Sequence, residues 1–399
     1  MHGQIRAKLC NNTTSDKMTT TSFAGLFVND PFDKVIEGLV PGDDDVNIVA
    51  MPDETSKRPS PWNNNEEFVF CNAVIDKGSC FIPSIVCPRT MLVNICKAYE
   101  QIGIKVKCGL EIEWTILQEK TSNPLFTDCA SYVLHPMLDA RLDEYKNRLF
   151  DSCERLSIPI ETFHVENGRS MLEMSFAPSD PVTVADNAQL FKMVAKKEAN
   201  QFGWNALFTS KPFCDAAGSG RHVHISLERP CDGHNISETT CGPFLAGILR
   251  HMRDLSCMYL PTVDSYERIG SSHFWTASHV SFAIDKRAFA VRIINHGKSN
   301  QRIEVRLPGA DSNPYLALVA ILKSGLDGIL QDLQLVTSAG ELGEPLPTSL
   351  GEAIALLRSS ADAQRILGSS FIDHYTALLH YEVGGEHHDR PSNWKSLVY

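Results

Sequence analysis

The sequence predicts an α+β protein with two unequal domains, a small β-rich one over residues 1–85 and a large mixed one over residues 86–399. Two patterns support this. Before residue 86, short apolar runs are separated by turn-rich stretches, which is typical of short strands. After residue 86, amphipathic helical patterns alternate with apolar strands, and 399 residues are enough to bury a large core in more than one domain.

The first domain is expected to contain strands at residues 23–28, 46–51 and 68–74. A helix then begins near Pro88, because proline suits the first turn of a helix. The apolar side chains that follow recur at the spacing of one helical face: Met91, Leu92, Ile95 and Tyr99. This change of pattern places the domain boundary near residue 86.

The large domain has four predicted strands, at residues 106–117, 158–163, 221–227 and 302–307. Its predicted helices are residues 138–156, 181–201, 314–330 and 350–357. The helix at 181–201 has Asp180 as its N-cap and Pro181 in its first turn. Its charged side chains are expected on a solvated face: Asp186, Lys192, Lys196 and Lys197.

The charge of the chain is acidic overall but positive in one segment. A net charge of −11 argues against a nucleic-acid binder or a protein of anionic membrane surfaces. From Arg268, in a predicted turn, to Arg306 there are nonetheless seven Lys or Arg and two acidic residues. We interpret this segment as a site for a small anion such as a polyphosphate.

Targeting signals are missing from the sequence, which favours a cytoplasmic protein. The first residues, MHGQIRAKLC, lack the apolar core of a signal peptide, and no apolar run reaches the ~20 residues that span a bilayer. The twelve cysteines are scattered without a CxxC pair, which favours reduced thiols over zinc ligands or a disulfide scaffold.

Three predicted strands carry ligand-type side chains at alternate positions, which share one face of a strand. The alternating groups are Arg302, Glu304 and Arg306; Glu111 and Glu113; and His222 and His224. A solvated surface strand would read in the same way, so a single Arg-x-Glu-x-Arg pattern leaves both interpretations open. Its recurrence on three strands favours a site for metal and anion.

Two more carboxylates, Glu166 and Glu173, would lie on opposite faces of a straight strand. The intervening Asn167-Gly168 is a tight-turn signal that would bring them back to one site. Five glutamates and one histidine suit Mg²⁺ or Mn²⁺, and six ligands are too many for one such ion. We therefore expect two or more metal ions beside arginines, an arrangement typical of phosphoryl transfer. The sequence contains neither a Walker motif nor a dinucleotide-binding GxGxxG.

Taken together, the motifs resemble the glutamine synthetase family along nearly the whole chain and in the expected order. They include GLEIEW, HVENGRSMLE, FTSKP, GSGRHVHISL, DKRAFAVR and QRIEVRLPGADSNPYLA. The resemblance implies a small N-terminal β-grasp domain, truncated here because the chain starts late. It also implies a large catalytic domain whose curved antiparallel sheet lines the active site, and a ring of ten or twelve identical subunits.

The resemblance also implies roles for individual residues. One metal would be held by Glu113, Glu166 and Glu173, and the other by Glu111, His222 and Glu304. ATP would contact His224, Ser226, Arg287, Arg292 and Arg302, with Arg287 and Arg292 acting in catalysis, and glutamate would contact Gly218, Arg268 and Arg306. The implied reaction is attack of the glutamate γ-carboxylate on ATP, followed by displacement of phosphate from γ-glutamyl phosphate by an amine.

Several departures from the family pattern concern the amine. The Asp-Gly-Ser-Ser loop of ammonia-using members has no match here, and the flap segment 270–275 lacks their glutamate. Ala217 stands where an asparagine is expected before the Gly-Ser-Gly. Phe274 and Trp275 would attract an organic ammonium by ~0.5–2 kcal/mol, or would simply pack the flap. Ammonia and a small organic amine therefore both stay open as substrates.

Two other functions are compatible with the sequence. An inactive structural or regulatory protein would explain the missing loop and flap carboxylate, although six ligands without metal would be a repelling cluster of buried carboxylates. A guanidino kinase would use similar phosphate-binding groups but would leave the arginines expected to hold glutamate without a role.

Overall fold

The computed structural model describes Ala7 and residues 19–22, 47–76, 81–126, 128–129, 140–228, 238–270, 275–298 and 300–383. The strand expected at residues 23–28 and the flap residue Phe274 lie outside these ranges. Within them, none of the helices combines the length and the apolar character that crossing a bilayer requires.

The N-terminal part forms an antiparallel sheet of four strands in the order β1-β2-β5-β6. These are β1 (Thr19–Ser22), β2 (Asn47–Pro52), β5 (Cys71–Asp76) and β6 (Phe81–Pro83), and a small hairpin joins β3 (Arg58–Pro59) to β4 (Glu67–Phe68). The run predicted at residues 46–51 is therefore β2, and the run at 68–74 is divided between β4 and β5.

The large part is built on one sheet of nine strands in the order β17-β14-β15-β16-β13-β7-β11-β9, with β12 pairing separately with β7. Its strands are β7 (Lys105–Gln118), β9 (Ile160–Val165), β11 (Met171–Phe176), β12 (Trp204–Leu207), β13 (Arg221–Glu228), β14 (His279–Ile284), β15 (Val291–Ile294), β16 (Arg302–Val305) and β17 (Leu342–Pro345). A two-stranded pairing links β8 (Asp128–Cys129) to β10 (Gly168–Arg169). The expected antiparallel sheet is in fact mixed, because β14 and β15 run parallel.

Ten helices lie in the described part of the chain: α1 (Pro88–Gln101), α2 (Ala140–Arg155), α3 (Pro181–Asn200), α4 (Glu238–Met252), α5 (Ser256–Tyr259), α6 (Val263–Gly270), α7 (Pro314–Leu330), α8 (Leu350–Ser359), α9 (Ala361–Leu367) and α10 (Ser369–Val383). The apolar face predicted for α1 is buried, and Asp180 caps α3 by accepting from the N–H groups of Val182 and Thr183. Both predictions are confirmed. Arg268, expected in a turn, lies in the last turn of α6.

Helix α3 corrects the expectation of a solvated charged face. Only Lys197 is exposed; Asp186 and Lys192 are buried and Lys196 is partly so. The helix packs against α2, α7 and the sheet, so little of its circumference reaches solvent. Asp186 binds the Arg89 guanidinium through two contacts of 3.0 and 2.9 Å, and it also accepts from the Tyr315 hydroxyl at 2.5 Å. A buried carboxylate needs such partners.

Arg89 also connects α1 with the N-terminal sheet. Its guanidinium donates to Asp53 at 2.8 Å and to Asn72 at 2.9 Å, in addition to Asp186. Asp53 directly follows β2, and Asn72 lies on β5. A single buried arginine therefore ties the N-terminal strands to α1 and α3.

Candidate active site

One face of the large sheet carries the predicted ligands in rows that run across the strands. In the first row, Glu173 on β11 lies opposite His164 on β9 and opposite Glu113 on β7. Directly opposed side chains in neighbouring strands lie ~5 Å apart at Cβ. The register of three strands therefore gathers these groups, although they come from distant parts of the sequence.

Two further rows lie beside the first. Glu111 on β7 lies opposite His222 on β13, and His224 on β13 lies opposite Glu304 on β16. Arg292 on β15 lies on the other side of Glu304. All these residues follow the predicted two-residue alternation, which puts them on one face.

Glu166 joins the first row through a chain reversal between β9 and β11. The N–H of Glu166 donates to the Met171 carbonyl at 2.9 Å, and Ser170 adopts the left-handed backbone conformation at φ 51°. Glu166, Glu173 and His164 offer ligand atoms within 4.8 Å of one another. The expectation that a turn brings Glu166 and Glu173 together agrees with this geometry.

The carboxylates differ in their electrostatic surroundings. Burial raises the pKa of Glu113 to about 7, and the charges of Glu173 and Glu166 act in the same direction. Burial would also raise the pKa of Glu111, but hydrogen bonds from His222 at 3.0 Å and His224 at 2.9 Å outweigh it and hold that pKa below its usual range. The first group therefore lacks a positive partner that the second already has.

His164 also titrates abnormally. Burial alone would lower the pKa of its imidazole, but the hydrogen bond between its Nε2 and Glu173 Oε1, at 3.1 Å, outweighs burial and raises the pKa to about 9. The charged form of this ring is therefore favoured by the carboxylates beside it.

The arginines of the positive segment separate into three groups. Arg292 and Arg306 both bind the buried carboxylate of Glu304, whose pKa is held low because His222 and Arg306 outweigh the opposing effect of burial. Arg302 lies at the near end of β16 and donates from Nε to His224 Nδ1 at 3.3 Å. Ser226 follows His224 on the same face, half-buried.

Arg287 does not join this group of side chains. It lies in the exposed turn between β14 and β15, where its carbonyl accepts from Arg306 Nε at 2.8 Å. Its guanidinium is on the solvent side, so any contact with a nucleotide would be made from the rim of the face.

The expected glutamate contacts cluster where α6 meets the end of β16. Arg268 is buried and donates from Nη2 to the carbonyls of Leu307 and Pro308 at 2.8 and 3.0 Å. A Cβ on Gly218 would lie 2.4 Å from the Ser210 carbonyl oxygen and 2.7 Å from Arg268 Cγ. Position 218 therefore has room only for glycine, because any side chain would displace Arg268.

Two residues of this site received no role from sequence reasoning. His164 stands two residues before Glu166, and this His-x-Glu alternation could have marked it. Asp311 is buried and accepts hydrogen bonds from three hydroxyl groups: Ser210 at 2.7 Å, Thr262 at 2.6 Å and Ser265 at 2.9 Å. Sequence offers little signal for Asp311, because its partners lie 46 to 101 residues away.

The donor set fits a divalent cation. Glu113, Glu166 and Glu173 are hard oxygen ligands, and the raised pKa of Glu113 is the expected result of like charges collected without a cation. In the second group, Glu111 and Glu304 lie within salt-bridge distance of His222 Nδ1, at 3.0 and 3.6 Å. We therefore regard this face as a metal-binding face.

The flap region is described only from Trp275 onward, where the indole is 56% exposed. Of the two interpretations of the flap aromatics, the packed one therefore does not hold for Trp275 in the isolated chain. Phe274 lies outside the described residues.

A mixed sheet whose one face carries glutamates, histidines and arginines in cross-strand rows defines a class of metal-assisted enzyme scaffolds. Residues 85–399 match the family model of the glutamine synthetase catalytic domain, and the chain belongs to the glutamine synthetase family. The resemblance seen in the motifs is thus confirmed.

Curated relatives include both ammonia and amine ligases by name. The chain is 29% identical to the glutamate–isopropylamine ligase of a Pseudomonas species over 381 residues, which covers 88% of this chain and 81% of that protein. It is 30% identical to the glutamine synthetase of Thermococcus kodakarensis over 350 residues, or 83% and 77% of the two chains.

Solved structures share the fold. The ligand-free structure of GmaS superposes with a TM-score of 0.79 at 25% identity, covering 94% of this chain and 88% of that one. A novel glutamine synthase homologue gives a TM-score of 0.81 at 22% identity, over 97% and 92% of the chains, and this similarity concerns the fold alone.

Proposed function

We propose that this protein is an ATP-dependent ligase that joins an amine to the γ-carboxylate of L-glutamate through γ-glutamyl phosphate. The observation that carries the proposal is the arrangement of one sheet face, where acidic residues of β7, β11 and β16 lie between the arginines of β15 and β16. Such a face can bring two anionic substrates together, because it offers cation ligands and guanidinium groups side by side.

In this proposal Glu113, Glu166 and Glu173 hold one Mg²⁺ or Mn²⁺, and Glu111, His222 and Glu304 hold another. Two or more such ions would offset the negative charge of the phosphates and the glutamate carboxylates. The site would take its chemistry from charge neutralisation and positioning, which supply most of the catalysis in phosphoryl transfer.

The remaining assignments follow the same division. Arg292 and Arg302 contact ATP phosphates from the floor of the face and Arg287 from its rim, while His224 and Ser226 face the nucleotide. Arg268, Arg306 and the space at Gly218 hold glutamate. The γ-carboxylate oxygen attacks the terminal phosphorus, the bond to ADP breaks, and the amine nitrogen then displaces phosphate to form the amide.

The amine is proposed to be ammonia or a small organic amine. The names of the relatives support both, and the exposed indole of Trp275 provides an aromatic surface for an alkylammonium. We also propose a division at residue 86 into a β-grasp domain (1–85) and a catalytic domain (86–399), a homo-oligomeric ring and a cytoplasmic location. The four-stranded N-terminal sheet and the family membership support these proposals.

Phosphate release tests the ligase directly. Purified protein with Mg²⁺, ATP and glutamate is offered ammonia, methylamine and isopropylamine in turn, and we expect release to depend on glutamate and on at least one amine. The Glu304→Gln variant is the matched control, since it keeps the shape of a buried side chain but removes its charge. Absence of release with every amine, from a folded and oligomeric sample, would contradict the proposal.

The alternative, an inactive protein of this fold, is separated by calorimetry. An active site should bind Mg²⁺ and MgATP. An inactive relative that has lost its ligand function should bind neither. The raised pKa of Glu113 favours the active form, because a protein without a metal would gain nothing from keeping these carboxylates together.

A further inference from the structure

Three histidines lie on the ligand-bearing face: His164 on β9, and His222 and His224 on β13. The sequence alone does not tell which of them can bind a metal ion. An imidazole binds a metal through a nitrogen lone pair, while its other nitrogen commonly donates its N–H to a carbonyl or carboxylate. The contacts of the two ring nitrogens therefore discriminate among the three.

His224 has both nitrogens engaged in a way that opposes metal binding. Arg302 has only N–H donors, and its Nε lies 3.3 Å from His224 Nδ1, so Nδ1 is the acceptor. The proton of the neutral ring is then on Nε2, which donates to Glu111 Oε1 at 2.9 Å. This ring orients a carboxylate but presents no lone pair to a cation.

His164 has the opposite arrangement. Its Nδ1 lies 3.1 Å from the carbonyl oxygen of Val165, which can only accept, so Nδ1 carries the proton. Its Nε2 lies 3.1 Å from Glu173 Oε1, on the side of the carboxylates. A donated Nδ1–H and an Nε2 directed at carboxylate oxygens is the arrangement of metal-binding histidines in proteins.

The distances also suit shared coordination. Adjacent ligands of an octahedral ion with ~2.1 Å bonds lie ~3 Å apart, close to the 3.1 Å between His164 Nε2 and Glu173 Oε1. His164, Glu166 and Glu173 each offer a ligand atom within 4.8 Å of the others. Glu113 completes the row as the cross-strand neighbour of Glu173.

We propose that His164 is a fourth protein ligand, through Nε2, of the metal ion held by Glu113, Glu166 and Glu173. This inference rests on the metal site of the proposed function and adds a nitrogen donor to it. Nitrogen ligands favour Mn²⁺ over Mg²⁺ more than carboxylates alone do. The site would therefore select Mn²⁺ when both ions are present.

Pulsed electron paramagnetic resonance of the full chain with Mn²⁺ alone tests this by detecting directly bound nitrogen. His164→Asn retains a short N–H group for Val165 but has no atom at the position of Nε2. We expect wild type to show bound nitrogen from His164 and His222, and His164→Asn and His222→Asn each to lose part of it. The matched variant His224→Asn should keep the full signal.

Calorimetric titration of the same proteins gives a second measurement. We expect His164→Asn to weaken Mn²⁺ binding ~10–100-fold, the range seen when groups that support a metal site are removed, and to weaken Mg²⁺ binding less. If His164→Asn does not fold, His164→Gln replaces it, with loss of bound nitrogen as the readout.

The failures are distinguishable. A wild-type nitrogen signal and Mn²⁺ affinity that survive unchanged in a folded His164 variant would overturn the role of His164 and leave the ligase proposal intact. A wild-type protein that binds no Mn²⁺ would overturn the metal site itself, and the inference with it.

Discussion

Replacing Asp311 with asparagine should separate the binding of glutamate from the binding of ATP. The Asp311 carboxylate accepts from Thr262 and Ser265, at the start of α6, and α6 carries Arg268 in its last turn. It also accepts from Ser210, whose carbonyl lies against Gly218. One carboxylate therefore holds both walls of the proposed glutamate site.

The size of the effect follows from the three hydrogen bonds. Hydrogen bonds to a charged group contribute ~1.5–3 kcal/mol each and neutral ones ~0.5–1.5 kcal/mol, and the amide of asparagine can still accept from one side. We therefore expect Asp311→Asn to lower the free energy of unfolding by about 2–4 kcal/mol. A displaced Arg268 should raise the KM for glutamate about tenfold, the equivalent of ~1.4 kcal/mol.

The assay is steady-state phosphate release at varied glutamate and at varied ATP, with denaturant unfolding alongside. Asp327→Asn is the matched control, since Asp327 is similarly buried but joins His251 of α4 to Arg365 of α9. It should lose stability without changing either KM. Equal changes in the KM for glutamate and for ATP in Asp311→Asn, or a glutamate KM that does not move, would refute the reasoning.

Three other perturbations have expected outcomes. Gly218→Ala should raise the KM for glutamate more than tenfold in the phosphate-release assay, because its Cβ would meet atoms at 2.4 and 2.7 Å; Gly242→Ala on α4, with open space around its Cβ, should not. Arg89→Met should lower the free energy of unfolding by ~3–5 kcal/mol, since it leaves the Asp186 carboxylate buried without its cation; Arg89→Met with Asp186→Asn should recover part of the loss, and equal losses would contradict this. In chelator, Glu113 should stabilise the fold below pH ~4.5 and lose that contribution as pH rises to about 7, because its folded pKa is raised; denaturant unfolding of Glu113→Gln at pH 5 and 8 should lack this component, and a difference from wild type that does not change with pH would contradict it.

Local features of the fold could be predicted from sequence because their causes are local. The apolar face of α1, the Asp180 cap and the alternation along β7, β13 and β16 each depend on residues a few positions apart. For the same reason the membership of most ligands in one face was predictable. Alternation gives the face of a strand, whatever its neighbours are.

What required the structure was long-range pairing. The cross-strand contact of Glu113 with Glu173, the parallel β14–β15 pair and the three hydroxyl partners of Asp311 all join segments far apart in the chain. The buried position of Asp186 was missed because its partner Arg89 is 97 residues away. A charged residue in a helix reads as solvated until that partner is known.

The cross-strand rows also make the metal face a reporter of complete folding. Glu111 and Glu304 come from opposite ends of the large domain, and they meet only after β7, β13 and β16 have paired. Contacts of such sequence separation form slowly, since loop closure precedes any gain from pairing. A nascent or partly folded chain would thus have carboxylates without a site. Metal ions would stabilise only molecules that had closed the whole sheet, which makes the cation a selective brace for the finished fold.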